Sequence, residues 1–408
     1  MRFNPFRPNN IATEGLFQGR DEEITLIVKS LFLTKNENPL HFLIEGERGL
    51  GKSSLFLKVH QIAAGHENHQ NELRFKFLVL NIELNSSQGY IDVLKIIAAE
   101  LKSAIAQKDL LKQKAHAVWE FLSNWEVLGV RYHKSESNLI QPYEVLSDIV
   151  QKIAEVIYLG GSEIDGVLIL IDEADRPSEN ASLGEILKLI SEKLIKKNCN
   201  KVAIGITGQP GLISKLKASH ESAPRLFNIM SLKPLTPEES EAVIKNGLRK
   251  ANEINKGKVH IEADALNLII HLSDGYPHFL QEFAFMAFEF SSNGVITLED
   301  VKKGAYEKTG ALNQLGEKYF NDLYFSQISS NEYRKVLQAM ANYSDGWVNR
   351  DMINQHIRIK STTLNNAIQA LKSRNIILAN SKQSGEFRLP TKSFAAWIKA
   401  YSIAEENL

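Results

Sequence analysis

The chain has 408 residues, a length that suggests two or three domains rather than one core. Hydrophobic residues make up 43% and charged residues 24%, the balance of a folded globular protein, which excludes a disordered chain. Lys+Arg and Asp+Glu both number 48, so a whole-chain basic field for nucleic acid is excluded and any such role falls to a local patch. The single cysteine, Cys199, excludes an intrachain disulfide or a cysteine metal cluster and fits a reducing, cytosolic setting. No apolar run approaches the about 18–20 residues that span a bilayer, so no membrane partner is expected. The opening MRFNPFRPNN is polar and rich in Pro and Asn, unlike a signal peptide, and the expected location is the cytoplasm.

Residues 1–20 read as an extended arm, with Pro5, Pro8, Asn9 and Asn10 as breakers. A helix follows from Asp21, with Ile24, Ile27, Val28 and Leu31 on one face. LHFLIE (40–45) is a short apolar strand ended by a Gly-rich loop, and a helix from Lys52 runs to Gly65, a C-terminal stop. A second strand spans 75–84, and residues 90–107 carry a helical stripe. Residues 108–160 hold two helical patterns around a polar loop near Lys134–Asn138. Their Trp119, Trp125 and Tyr132 are either a sticky surface or, as aromatic residues at helical spacing more often are, core. GVLILIDE (166–173) is nearly all apolar, the pattern of a buried parallel strand, and 201–207 and 227–232 complete five strands. Alternation of strand and helix implies a parallel α/β sheet with right-handed crossovers.

Beyond residue 235 the pattern is helices only. Thr236-Pro237-Glu238-Glu239 is a capping box with Pro at the first helical position, and helices are predicted at about 237–252, 262–273, 277–292 and 298–308. Residues 311–328 bridge to a tail in which Ser329–Glu332 has the capping-box form. Three short helices and a hairpin around Ser384-Gly385 suggest a winged helix.

Residues 46–53 read G-E-R-G-L-G-K-S, a full match to the G-x-x-x-x-G-K-[ST] phosphate loop. Gly46, Gly49 and Gly51 let consecutive N–H groups turn inward onto phosphate oxygens, around Glu47, Arg48 and Leu50. The helix beginning at Lys52, Ser53 and Ser54 aims its positive end at the same anion. Lys52 reaches the β- and γ-phosphates, and the Ser53 hydroxyl is a magnesium ligand. A chance match in a chain of this size is on the order of one in a hundred. The loop also lies between a predicted strand and a predicted helix, as the chemistry requires.

The apolar strand 167–171 ends in Asp172-Glu173, and a carboxylate at that end of a parallel strand opens into the ligand crevice. Asp172 is expected to hold magnesium through water, and Glu173 to polarise the attacking water as the catalytic base. Many buried strands end in acids; the phosphate loop gives this pair its meaning.

The phosphate loop, the ILIDEAD segment (169–175) and the helical lid resemble the AAA+ ATPases, in the initiator-like (origin-recognition type) and STAND-related branch that adds a winged helix. LFQGRDEEI (16–24) looks like that branch's leading motif, and NPF (4–6) and GYPHFLQE (275–282) resemble its bacterial ATP-binding members. The resemblance covers nearly the whole chain and is more specific for the ATPase core than for the tail. It implies a nucleotide-binding domain at 1–235 with a helical insertion at about 108–160, a lid at 236–310, a linker helix at 311–328 and a winged helix at 329–408.

The resemblance also implies roles, residue by residue. Thr207 or Gln209 takes the sensor-1 position near the γ-phosphate, against the plainer reading of a polar loop. Arg225 stands where an arginine finger reaches a neighbouring subunit's nucleotide, against an ordinary surface charge. Pro277 closes over the nucleotide base, bordered by Pro8 and Ile11, against simple loop packing. His278 replaces the usual sensor-2 arginine, and a histidine is only partly charged near neutral pH. That departure favours a slow switch over a processive motor.

Residues 331–408 contain 11 Lys+Arg and 6 Asp+Glu, a net of +5. In the third tail helix, about 361–373, and its approach, Arg358, Lys360, Thr362, Thr363 and Asn366 are candidates for a DNA groove, with Lys382 and Arg388 on the wing. Winged helices also serve as protein-interaction domains. The expected function is an ATP- and magnesium-dependent switch ATPase whose nucleotide state controls homo-oligomer assembly and engagement of DNA or a protein effector. The alternative is a nucleotide-occupied scaffold with little turnover. A small-molecule phosphotransferase is disfavoured, because the lid is a separate helical domain and no acceptor pocket is legible.

Overall fold

Five apolar runs form one sheet in the order β2-β3-β4-β1-β5, every neighbouring pair parallel. The computed structural model describes residues 2–10, 17–67, 73–132, 142–292, 294–343, 346–380 and 382–406, with backbone alone for 125–132 and 403–406. The chain divides into two compact units, Arg20–Lys233 and Met1–Gly19 with Pro234–Leu408.

In the first unit the order is α1 (Asp21–Lys35), β1 (His41–Glu45), α2 (Lys52–Ala64), β2 (Phe77–Glu83), α3 (Tyr90–Ala106), α4 (Asp109–Lys114), α5 (His116–Tyr132), α6 (Pro142–Gly160), β3 (Gly166–Asp172), α7 (Leu183–Lys196), β4 (Val202–Gly208), α8 (Leu212–Ser219) and β5 (Phe227–Ser231). All of β4 and the first six residues of β3 are buried, because helices cover both faces of the sheet. The register sets Glu83 beside Asp172, and Ile44 and Glu45 beside Thr207 and Gly208. One end of the sheet therefore gathers the phosphate loop, the acidic pair and Thr207. β4 lies between the strand that feeds the loop and the strand that carries the acids.

The insertion holds three helices, α4, α5 and α6, where two were predicted; Lys108 and Ala115 break the pattern into a short extra piece. The loop near Lys134–Asn138 lies outside the described residues. Trp119 is half-buried against the core, with the Lys112 ammonium 4.7 Å from its ring centre. The Trp125 and Tyr132 side chains lie outside the described residues.

The second unit contains α9 (Pro237–Asn255), β6 (His260–Ile261), α10 (Ala263–Ser273), α11 (Pro277–Phe290), β7 (Val295–Ile296), α12 (Leu298–Tyr306), α13 (Ala311–Leu315), α14 (Asn331–Ala341), α15 (Arg350–His356), α16 (Ser361–Ser373), β8 (Leu378–Ala379), β9 (Phe387–Arg388) and α17 (Lys392–Glu406). The Thr236 capping box forms: Glu239 N–H donates to Thr236 Oγ1 at 3.2 Å and Thr236 N–H to Glu239 Oε2 at 2.8 Å.

Several expectations need correction here. The region is not helices only, since β6 and β7 pair in parallel; two residues each is too short to show as a period. The box at Ser329 does not form, because Ser330 is the N-cap and no side chain caps α14. The linker is helical without a break from Ala311 to Ser326 but is not α-helical throughout, since α13 gives way to π-helical turns at Gly316–Phe320 and Asp322–Ser326. After the hairpin comes an unpredicted helix, α17. The tail is not set apart from the linker or the lid: Phe320 and Tyr324 of the linker meet Phe394 at 5.1 Å and Trp397 at 5.4 Å between ring centres, and α17 packs on α10 of the lid. The arm belongs to this helical unit rather than to the nucleotide-binding one. Phe6 is buried, Asn255 holds both backbone polar groups of Phe3, and Arg7 N–H donates to Gln281.

Candidate nucleotide site

The phosphate loop follows β1 and turns back through Gly49 (φ 90) and Gly51 (φ 87), a left-handed conformation that side chains resist. No side chain caps α2, and its N-terminal end, which begins at Lys52, follows directly on the loop, the arrangement in which a helix N-terminus faces an anion. Lys52 Nζ donates to the carbonyls of Gly46 at 2.7 Å and Glu47 at 3.1 Å, which holds the ammonium over the loop. Burial lowers the Lys52 pKa, opposed by the charges of Asp172, Asp175, Glu173 and Glu47.

Ser53 Oγ donates to Asp172 Oδ2 at 2.6 Å. The other oxygen, Oδ1, accepts from the Thr207 hydroxyl and from Glu173 N–H at 2.8 Å. Three donors thus fix one carboxylate. The donor set is a hydroxyl and a carboxylate, both hard oxygens, and no group of three or more His, Cys, Asp or Glu stands placed for a metal among the described residues. Two protein oxygens suit magnesium, which keeps several waters and takes further ligands from phosphates.

Glu173 has φ 54, a left-handed backbone that costs roughly 1–2 kcal/mol for a residue with a Cβ. Its Oε1 pairs with Arg176 at 2.7 Å, and Oε2 is buried with no partner among the described residues. Burial raises the Glu173 pKa; Arg176 opposes this, while Asp172, Glu83 and Asp175 reinforce it.

Of the two sensor-1 candidates, Thr207 is fully buried and bonded to Asp172, whereas exposed Gln209 offers its backbone N–H to Asp175 Oδ1 at 2.9 Å. Arg225 is exposed on a 3-10 turn before β5. Pro8, Pro277 and His278 belong to the helical unit: Pro8 is buried, Pro277 opens α11, and His278 packs on Tyr319 at 5.3 Å between ring centres. Ile11 lies outside the described residues. Arg358, Lys360, Thr362, Asn366, Lys382 and Arg388 are exposed and Thr363 half-buried, on and around α16 and the hairpin.

Sequence reasoning missed three supports. Arg20 Nη2 donates to Leu50 O at 3.1 Å from a left-handed N-cap (φ 80). Ile213 N–H donates to Glu45 Oε1 at 3.1 Å, and Arg176 holds Glu173. The Gly19-Arg20 pair carried the only signal, as a charge beside a turn residue just ahead of an apolar helix.

A model of the NACHT domain matches residues 41–251. Among solved structures, a Walker-type ATPase of Pyrococcus abyssi is similar at 18% identity and a TM-score of 0.54, over 94% of this chain and 96% of that one. The ORC2 protein of Aeropyrum pernix, solved in ADPNP–ADP complexes, is similar at 14% identity and a TM-score of 0.55, over 99% and 98%. At these identities the likeness is one of fold. No curated protein matches the sequence.

Proposed function

The chain belongs to the NACHT family of P-loop NTPases, and from that premise we propose that it is a slow ATP-hydrolysing switch. The observation that carries this reading is the 2.6 Å bond between Ser53 and Asp172, which joins the phosphate loop to the acidic strand. Magnesium ATP, when bound, supplies the labile phosphoanhydride and the cation that neutralises it. Lys52 and the N–H groups of the loop bind the phosphates, and Ser53 and Asp172 hold the cation. Thr207 keeps Asp172 in place, and Glu173 orients the attacking water and takes its proton.

The switch acts through assembly. ATP favours a homo-oligomer in which Arg225 reaches a neighbour's nucleotide, and hydrolysis releases it. Output runs through the segment at 329–408, read as a winged helix, whose exposed Arg358, Lys360 and Arg388 support engagement of DNA or a protein effector. The cytoplasm is the proposed location; no helix among the described residues is long and apolar enough to cross a membrane.

The test is ATP turnover of the purified chain beside Lys52→Ala and Glu173→Gln, with and without DNA. Turnover that both substitutions abolish supports the switch ATPase. Tight ATP binding with turnover no higher than in the two variants sinks it in favour of the nucleotide-held scaffold.

A further inference from the structure

Arg176 is used by none of the steps above, yet it holds the side chain on which they depend. Its N–H donates to the Glu173 carbonyl at 2.9 Å, closing a turn over residues 173–176. The turn brings the guanidinium to within 2.7 Å of Glu173 Oε1. Glu173 stands in a left-handed backbone, and its second oxygen is buried without a partner among the described residues. An oxygen paired with a guanidinium is turned away from any water it would have to orient. The other oxygen is shut away from the solvent that would supply that water. As it stands, the base is out of service.

We infer that Arg176 is a positioning residue that restrains Glu173, and that turnover requires the guanidinium to let go. The inference rests on the reading of Glu173 as the base. The restraint is a weak one by construction. The Arg176 side chain is 47% exposed, and ion pairs exposed to that degree are readily exchanged and screened by salt. Thr207 and Ser53 bond Asp172 without touching Arg176, so the cation site is built independently of the restraint. A competing role is a direct one, with Arg176 donating to the phosphoryl group in the transition state. The two roles predict opposite signs when the residue is removed.

The experiment compares the full chain, R176A and R176K for ATP turnover at saturating magnesium ATP and for ATP affinity by titration. Restraint predicts that R176A raises kcat by about two- to fivefold with ATP affinity unchanged, and that R176K falls between. It also predicts that added potassium chloride raises kcat of the wild type but not of R176A, a response that a merely structural arginine would not show. If the wild type turns over and R176A is slower or equal, the restraint is overturned and the reading of Glu173 stands. If neither exceeds the Glu173→Gln variant, the reading of Glu173 falls and takes the restraint with it. Should R176A lose its fold by circular dichroism, R176Q removes the charge on a polar stem and is read in the same way.

Discussion

The guanidinium of Arg20 donates to the carbonyl oxygen of Leu50 at 3.1 Å, tying the residue ahead of α1 to the middle of the phosphate loop. Leu50 is itself buried, so the loop is held by its own side chain as well as by this bond. A bond from a charged donor contributes about 1.5 kcal/mol or more. Arg20→Ala is therefore expected to weaken ATP binding roughly tenfold, with Arg20→Lys recovering part of the loss. Calorimetric titration checks it, and an unchanged affinity would show that the loop holds its shape alone.

Thr207→Val should act on the cation rather than the nucleotide. The change is close to isosteric but removes the hydroxyl that donates to Asp172 Oδ1. Loss of such an outer partner typically lowers metal affinity about 10- to 100-fold. The magnesium concentration giving half-maximal turnover is expected to rise, while ATP binding in excess magnesium stays near wild type. A variant whose magnesium dependence matched wild type would remove Thr207 from the site.

His41 makes stability depend on pH. It is buried at the start of β1, with Ile204 N–H donating to its Nδ1 at 3.2 Å and Ser191 Oγ 3.3 Å from its Nε2. Burial lowers its pKa from 6.5 to about 4, so the unfolded chain binds the extra proton across that window. The stability it contributes is complete above about pH 6.5 and is lost as pH falls toward 4, by roughly 3 kcal/mol. Denaturant unfolding at stepped pH should show this limb in the wild type and a flatter one in His41→Gln. Equal slopes would contradict it.

Asn255 clamps the arm, accepting from Phe3 N–H at 2.7 Å and donating to Phe3 O at 2.9 Å, as a neighbouring strand would. Asn255→Ala removes both bonds, a loss of about 1–3 kcal/mol in holding the arm. Limited proteolysis should then cut within the first ten residues several-fold faster, with far-UV circular dichroism unchanged. Cleavage at the wild-type rate would show that buried Phe6 holds the arm without the clamp.

If the basic face around α16 meets DNA, Lys360→Ala and Arg358→Ala should each weaken binding alike across sequences. Each should also lower the slope of log affinity against log salt by about 1. Absence of any salt-dependent DNA binding by the wild type would assign the output to a protein effector.

The phosphate loop was legible because its chemistry is local: Gly49, Gly51, Lys52 and Ser53 are set by one turn and one helix start. The three central strands were legible for a similar reason, since strands buried on both faces must be apolar throughout, while the edge strands β2 and β5, with exposed positions, were read as short apolar runs between helices. The fold class and the family followed from these together. Less legible were β6 and β7, whose two residues each carry no period, and the extra helix α4, which is only six residues long.

By itself, then, the sequence determined where the phosphate-loop motif lies, which strand carries the acids, and the α/β class, because backbone conformation and burial pattern follow from neighbours in the chain. Only the tertiary structure decided that Thr207 holds Asp172, that Arg20 holds Leu50 from 30 residues away, and that the arm lies on the helical unit. Those bonds depend on strand order and register: placing β4 between β1 and β3 brings Thr207 to Asp172 across 35 positions. A polar side chain carries no mark of which distant partner the folded sheet will set beside it.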